Sequence, residues 1–449
     1  MGKSIKISKG LNIRLVGEAE KVTASPENVD TILIKPTDFH GLIPKCVVNP
    51  GDEVKAGTPL FFDKKHPEVQ YCSPVSGEVL EVIRGEKRKL IGIKILADKE
   101  TRYAEVNIPA MENASKADII AAMTAHGVWP YIKQRPFDVV ANPNQMPKAV
   151  FISAFDSSPL APDFDFAMQG YGPEFQHGLD LLAKLAPVHL SVHSELTKSE
   201  IFLKAKNVEI HTISGPHPSG NVGVQIHHIA PINKGEIAWT VNPQDVAIIG
   251  RLFLEKKYNP LRVIAITGSE VSRRRYAKVL PGTPMKALLA ETINTQYPVR
   301  VISGNVLTGS TESLDGYLGF YHNQITVIPE GHDPQFFGWI APGLDKFSMS
   351  HTFFSWLMPS KKYALNTNLN GEERAFVVSG EYEKVFPMQI YPVYLLKAIL
   401  ANDIEKMEEL GIYEVAPEDF ALCEFVCTSK INTQQIVRQG LDLVLSEME

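Results

Sequence analysis

Long apolar runs are missing from this 449-residue chain. No stretch approaches the roughly 18 consecutive apolar residues that a membrane-spanning helix needs. The most apolar piece, Val246 to Leu254, is short and carries Arg251. The start, Met1-Gly2-Lys3-Ser4-Ile5-Lys6, has no apolar leader core, and Lys6 stands where a myristoylation signal needs Ser or Thr. The expectation is a soluble protein, or one held at a membrane only through other subunits. Basic excess is missing as well. The formal net charge of −6 argues against a nucleic-acid partner, and the local run Arg84, Lys87, Arg88, Lys89 reads as a solvated hairpin. Cysteine is scarce, with four in the whole chain, which suits a reducing compartment. Cys46 and Cys72 sit in strand-like contexts and read as small core residues. Cys423 and Cys427 are spaced i, i+4, so a helix places them on one face. No third sulfur and no histidine adjoins them, whereas a metal or cluster site needs about four ligands. No metal site is expected.

What is present suffices for several cores. Hydrophobic residues make up 44% and charged residues 21% of the chain, which is ordinary for globular protein, and the length allows about two to four domains. The organising stretch is Gly51 to Ile95. Pro50-Gly51, Gly57 and Ser76-Gly77 punctuate short runs built on Val54, Leu60, Val75, Val79, Val82 and Ile83. Two similar halves appear, one entered by Gly51-Asp52-Glu53-Val54 and one by Ser76-Gly77-Glu78-Val79. The pattern resembles the barrel-sandwich hybrid of biotinyl and lipoyl carriers. Lys64 and Lys65 fall at the hairpin tip between the halves. They read as solvated charges, and a swinging-arm lysine is the alternative.

The rest of the chain reads in order. Residues 1 to about 30 form an irregular arm. A helix starts at Ala114 with Ser115 as N-cap and ends at His126-Gly127. Strand and helix patterns then alternate: strand Ala149–Ala154, helix Phe175–Leu185, strand Pro187–Val192, helix Ser194–Leu203, strand Val208–His211 and helix Asp245–Leu254. Such alternation makes a parallel α/β sheet. Strand Arg262–Gly268, helix Met285–Glu291 and strand Val299–Gly304 give a β-grasp-like unit. Residues 330–380 are mixed and aromatic-rich, and the chain after Pro392 is mostly helical. The fold class is α+β multidomain. It comprises the arm and barrel-sandwich hybrid (1–106), a Rossmann-like α/β domain (107–258), a β-grasp, SLBB-like domain (259–329) and a mixed and helical C-terminal region (330–449).

Gly10-Leu11, Asp63-Lys64-Lys65, Ser73-Pro74-Val75-Ser76-Gly77, Arg135-Pro136-Phe137 and Gly215-Pro216-His217-Pro218 carry a resemblance in this order. Ile302-Ser303-Gly304 with Val306-Leu307, Phe337-Gly338-Trp339 with Pro342-Gly343, and Ala421-Leu422-Cys423 with Phe425-Val426-Cys427 continue it over nearly the whole chain. The chain resembles the A-subunit family of sodium-translocating NADH:quinone reductases. The C-type component of the Rnf complex and the flavin-bearing component of respiratory complex I are related to that family. In flavin-bearing relatives a glycine-rich loop wraps the flavin phosphate after the first helix, because backbone N–H groups must approach phosphate closely. Here Val128-Trp129-Pro130-Tyr131-Ile132-Lys133-Gln134-Arg135-Pro136-Phe137 has no glycine and two prolines. Those relatives also hold iron–sulfur clusters on C-terminal cysteines, of which only Cys423 and Cys427 have counterparts here.

The resemblance therefore implies a peripheral subunit without cofactors of its own. FAD, 2Fe–2S, FMN and riboflavin are expected on partner subunits, some of them integral to the membrane. The assembly would carry electrons from NADH to ubiquinone or menaquinone and export sodium. This chain would sit on the cytoplasmic face of a bacterial inner membrane. Trp129, Tyr131, Arg135 and Phe137 are the candidate quinone-site residues, because aromatic faces stack on a quinone ring and a cation donates to its carbonyl. No residue is assigned a catalytic role. Gly215, Gly220 and Gly223 with His217, His227 and His228 fit neither a dinucleotide fingerprint nor a P-loop. Adjacent histidines on a strand would face opposite ways, so this segment reads as a folded loop. Asp345, Lys346 and His351 beside Trp339 and Phe347 read as a contact between subunits. The alternatives are a component of a soluble flavoprotein dehydrogenase and a lipoyl-type carrier module.

Overall fold

The computed structural model describes residues 2–25, 29–108, 114–290, 292–293, 296–331, 336–338, 341 and 343–448. The expected helix end at Glu291 and the motif residues Trp339 and Pro342 lie outside the described residues.

Residues Thr31 to Ala97 build two antiparallel sheets around the Gly51–Ile95 stretch. One runs Thr31–Ile34, Leu90–Ala97, Gly77–Arg84, Glu53–Val54, and the other Pro44–Cys46, Pro59–Asp63, Gln70–Cys72. The two similar halves pair with each other, Glu53 opposite Glu78 and Val54 opposite Gly77. Val54, Leu60, Val79, Ile93 and Ile95 close the interior. Lys64 and Lys65 are exposed at the tip between Pro59–Asp63 and Gln70–Cys72.

The α/β sheet has seven strands in the order Ser4–Lys6, Glu209–Ser214, Val188–His193, Ala149–Ser153, Ala238–Thr240, Lys133–Arg135, Val139–Val140. The first five are parallel and the last two antiparallel. Alternation along Ala149–Ser153 sends Val150 and Ile152 into one core and Ala149 and Phe151 into another. Helices Gly172–Leu185 and Pro243–Glu255 pack in the first core, and Val222–Ile229 in the second. The first two helices cross backbone to backbone. A Cβ on Gly178 would lie 2.1 Å from the Val246 carbonyl oxygen, and one on Gly250 would lie 1.9 Å from that of Glu174.

Three local expectations change. The arm is not irregular: Ser4–Lys6 extends the α/β sheet, and Glu20–Ala24 pairs with Arg275–Val279 in a six-stranded sheet. The helix expected over 194–203 shrinks to Glu200–Leu203. Upstream, His193 Nδ1 accepts the Glu195 and Leu196 amides, and Asp165 accepts those of Lys198 and Ser199. Side-chain acceptors thus replace helical carbonyls. Third, His227 and His228 ride on the Val222–Ile229 helix, where they bond Glu414 and the Pro387 carbonyl.

The six-stranded sheet (Ser310–Glu312, Val299–Ser303, Gln324–Pro329, Arg262–Thr267, Arg275–Val279, Glu20–Ala24) carries helix Met285–Leu289 on one face. Helices Pro392–Leu400, Ile404–Glu409, Ala421–Val426 and Thr433–Met448 gather a separate core. That core takes in Ile7, Ile13 and Leu15 of the arm and Phe137, Phe155, Leu160, Ile213 and Val224 of the α/β unit. The C-terminal helices therefore close over the carboxyl ends of the parallel strands.

Candidate functional site

In the parallel sheet, Ala149–Ser153 has Val188–His193 on one side and Ala238–Thr240 on the other. The chain first winds outward through Val188–His193 and Glu209–Ser214, then returns to the opposite side. Neighbouring strands that lead away in opposite directions leave a gap at their carboxyl ends, where ligands of open α/β sheets bind. A crevice of about 240 Å³ opens there. Ser153, Phe155, Asp156 and Ser158 line it from the end of one strand, and Thr240, Val241 and Asn242 from the other. His217, Gly220 and Asn221 come from the loop after Glu209–Ser214. Tyr131, Lys133, Arg135 and Asp138, with Asp245, Asn305, Tyr321 and Glu418, complete the wall.

Two of the four sequence-predicted residues thus face this crevice, Tyr131 and Arg135. The other two are core. Trp129 is fully buried, meets Trp239 edge to face with centroids 5.2 Å apart, and donates its Nε1–H to the Ala141 carbonyl at 2.7 Å. Phe137 is buried in the C-terminal core against Tyr413. The Tyr131 ring is already stacked on Phe320 at 4.7 Å, with the Arg262 guanidinium 5.7 Å from its centroid.

Arg135 is no free cation either. Only 2% exposed, it bonds Glu418 and Asp419 (3.4 Å) and lies 3.8 Å from Asp138. Lys133 pairs with Asp138 at 3.3 Å, and Arg438 approaches it at 3.8 Å. Three cations and three carboxylates interleave. Burial opposes the Asp138 charge, but Lys133, Arg135 and Arg438 together hold its carboxyl below the usual range. Burial pushes the Glu418 and Asp419 carboxyls upward, against the pull of Arg135. Opposite them, Asp245 bonds Arg262 at 2.9 Å, yet burial raises its carboxyl to about 6. Asp156 is also pushed up by burial, and its Oδ1 accepts the Ser158 amide at 2.8 Å.

Most amides of the two loops bordering the crevice are already paired within the protein. In the first, the amides of Val128, Tyr131 and Ile132 donate to the carbonyls of Met123, Val128 and Trp129. Lys133–Arg135 belongs to the sheet, and Pro130 and Pro136 have no N–H. In the second, Ser219 and Asn221 donate to Pro216 and Pro218, His217 to Asn12, and Gly220 to Ser157. The remaining wall is rich in carboxylates, which repel a phosphate.

Sequence reasoning missed Ser153, Asp156, Asp245 and Thr240, and it read His217 as part of a folded loop. The usable signal was their place just past the ends of parallel strands. Cys423 and Cys427 are both buried, and the Tyr382 hydroxyl donates to the Cys427 sulfur at 2.9 Å. Among the described residues one trio, His189, Glu209 and His211, has metal-ligand spacing. His211 Nδ1 accepts the Lys3 amide at 3.0 Å, so Nε2 carries the proton and donates it to His189 Nδ1 at 2.9 Å. Those two hydrogen bonds occupy the Nδ1 lone pairs of both histidines, which a metal would need. A second, wider groove of about 980 Å³ runs between the 343–374 segment and the C-terminal helices, lined by Phe347, Met349, Phe353, Leu365 and Phe425. Within it Asp345 pairs with Lys361 at 2.6 Å, and Lys346 lies over the Phe353 ring. His351 stacks on Trp356, half exposed nearby.

Three family models match the chain. They are an NqrA N-terminal barrel-sandwich hybrid domain over residues 5–98, an NqrA second alpha/beta domain over 114–258 and an NQRA C-terminal domain over 263–313. The A-subunit of a Na(+)-translocating NADH-quinone reductase from Neisseria meningitidis serogroup B is 36% identical over 447 residues, 99% of this chain and 100% of that protein. The chain belongs to the NqrA family. A member from Vibrio vulnificus is 34% identical over 448 residues, again 99% of this chain and 100% of that protein. A solved NAD+-reducing [NiFe]-hydrogenase aligns with 77% of this chain and 67% of its own at a TM-score of 0.38 and 9% identity, too remote to carry an argument. As an NqrA-family chain, it has no helix among the described residues long and apolar enough to cross a membrane.

Proposed function

We propose that the crevice between Ser153 and Thr240 receives the quinone head group, with Tyr131 and Arg135 in its wall and Trp129 and Phe137 holding that wall from behind. The chain is a subunit of a sodium-translocating NADH:quinone reductase, a translocase, and in this reading it is not catalytic alone. It is peripheral, and in this reading it lies on the cytoplasmic face and docks on integral membrane subunits. NADH oxidation, FAD, the 2Fe–2S cluster, FMN and riboflavin then belong to partners. The acidic wall, which repels a phosphate, and the two prolines of the 128–137 segment support that assignment. The α/β sheet is read as Rossmann-like and the six-stranded sheet with Met285–Leu289 as β-grasp.

One observation carries the quinone reading: the crevice lies at the topological switch of the sheet. Its volume of about 240 Å³ suits a single substituted ring rather than a dinucleotide, and Phe155, Phe164 and Tyr321 supply apolar surface. The test is titration of the purified chain with ubiquinone-1. Wild type binds, and Thr240→Phe, which fills the crevice, does not while keeping its thermal stability. Equal binding by both would remove the quinone from this place.

A further inference from the structure

We propose that His217 is a specificity-determining donor of this crevice, presenting a neutral Nε2–H to one carbonyl oxygen of the bound ring. The proposal rests on the quinone reading above. His217 is fixed from the arm: its amide donates to Asn12 Oδ1 at 2.9 Å, and its carbonyl accepts the Leu11 amide at 2.8 Å. The residue is 4% exposed and lies on the crevice wall. Ser157 Oγ sits 3.0 Å from Nδ1 and accepts the Gly220 amide at 2.8 Å. No other acceptor for the Ser157 hydroxyl is found among the described residues, so its hydrogen goes to Nδ1. The ring proton then resides on Nε2. Burial keeps the imidazole neutral, down to about 4. Among the described residues Nε2 has no protein partner, and it is not among the buried polar atoms sealed without one. An N–H that opens onto a crevice from an otherwise buried ring takes an acceptor there.

The surroundings select the acceptor. Asp138, Asp156, Asp245 and Glu418 stand on the wall, while Lys133 and Arg135 are turned to carboxylates. A phosphate or carboxylate would meet repulsion there. An uncharged carbonyl meets none and takes the hydrogen bond. Ser157 is a positioning residue, acting only through the tautomer it sets.

The test uses the full chain with histidine labelled in 15N, ubiquinone-1 as probe, and the variants H217F and H217Q. The wild-type Nε2 signal should be that of a protonated nitrogen, Nδ1 unprotonated, and the Nε2 signal should move on adding ubiquinone-1. H217F should bind about tenfold more weakly, whereas H217Q, which keeps an N–H donor, should stay within about threefold of wild type. Undiminished binding by H217F, or a proton on Nδ1, would overturn the proposal and leave the quinone reading standing. If wild type binds no ubiquinone-1, both fall. Should H217F not fold, the wild-type nitrogen signals decide: an Nε2 signal unmoved by bound quinone overturns it.

Discussion

Arg135 is a buried cation shared by Glu418, Asp419 and Asp138, so its first task is to join the α/β unit to the C-terminal helices. Arg135→Ala would leave buried carboxylates without their partner. We expect a loss of about 3–5 kcal/mol, read by denaturant unfolding, with Arg135→Ala/Glu418→Gln recovering part of it. A variant as stable as wild type would make the cluster energetically idle. Phe137→Ala should cost about 3–5 kcal/mol for the same topological reason, because its ring fills the core between those units rather than the crevice. His322 gives a pH-dependent case. Burial, helped by Lys35, Lys133 and Arg262, holds the imidazole down to about 4, against an ordinary value near 6.5. The unfolded chain therefore takes up a proton at this residue below about pH 6.5 that the folded chain refuses until about pH 4. Stability contributed here is present above the unfolded value and is lost as pH falls. His322→Gln should remove that loss, so its stability relative to wild type should rise from pH 6.5 to 4.5. A constant difference across that range would contradict the assignment.

At the scale of elements, the close crossing of Gly172–Leu185 and Pro243–Glu255 depends on two missing side chains. Gly250→Ala should push the helices apart and destabilise the protein by about 1–3 kcal/mol, as thermal unfolding would show. Gly223 plays a parallel part, since a Cβ there would lie 2.6 Å from both Asp419 carboxylate oxygens. Elements were legible where apolar periodicity and caps agreed, as at Ser115 with its capping box and along Ala149–Ser153. They were illegible where the partner is remote. Ser4–Lys6 is only three residues long and is a strand because Glu209–Ser214 lies beside it. The turn after His193 was hidden for another reason: the acceptors that replace helical carbonyls are side chains brought in by folding. Of the site, the 129–137 segment was legible through its resemblance to a cofactor-wrapping loop. Which of its side chains turn inward was not, because that depends on the antiparallel pairing of Lys133–Arg135 with Ala238–Thr240. His217 stayed hidden because a histidine between prolines carries no sign of Ser157, sixty positions away.

For the whole molecule, three cores meet around one crevice, and the N-terminal arm threads between sheets. The arm thereby ties the barrel-sandwich end of the chain to both sheets and to the C-terminal core. In the function proposed above, the quinone head sits at the switch point of the α/β sheet and the redox centres belong to neighbours in the complex. The measurement that tests this most directly is difference density from crystals of the full chain soaked with ubiquinone-1. The account predicts a single ring-shaped feature between Ser153 and Thr240, with one carbonyl oxygen within hydrogen-bond reach of His217 Nε2. Density confined to the wide groove beside Phe347 and Phe425, or an empty crevice at saturating quinone, would contradict it.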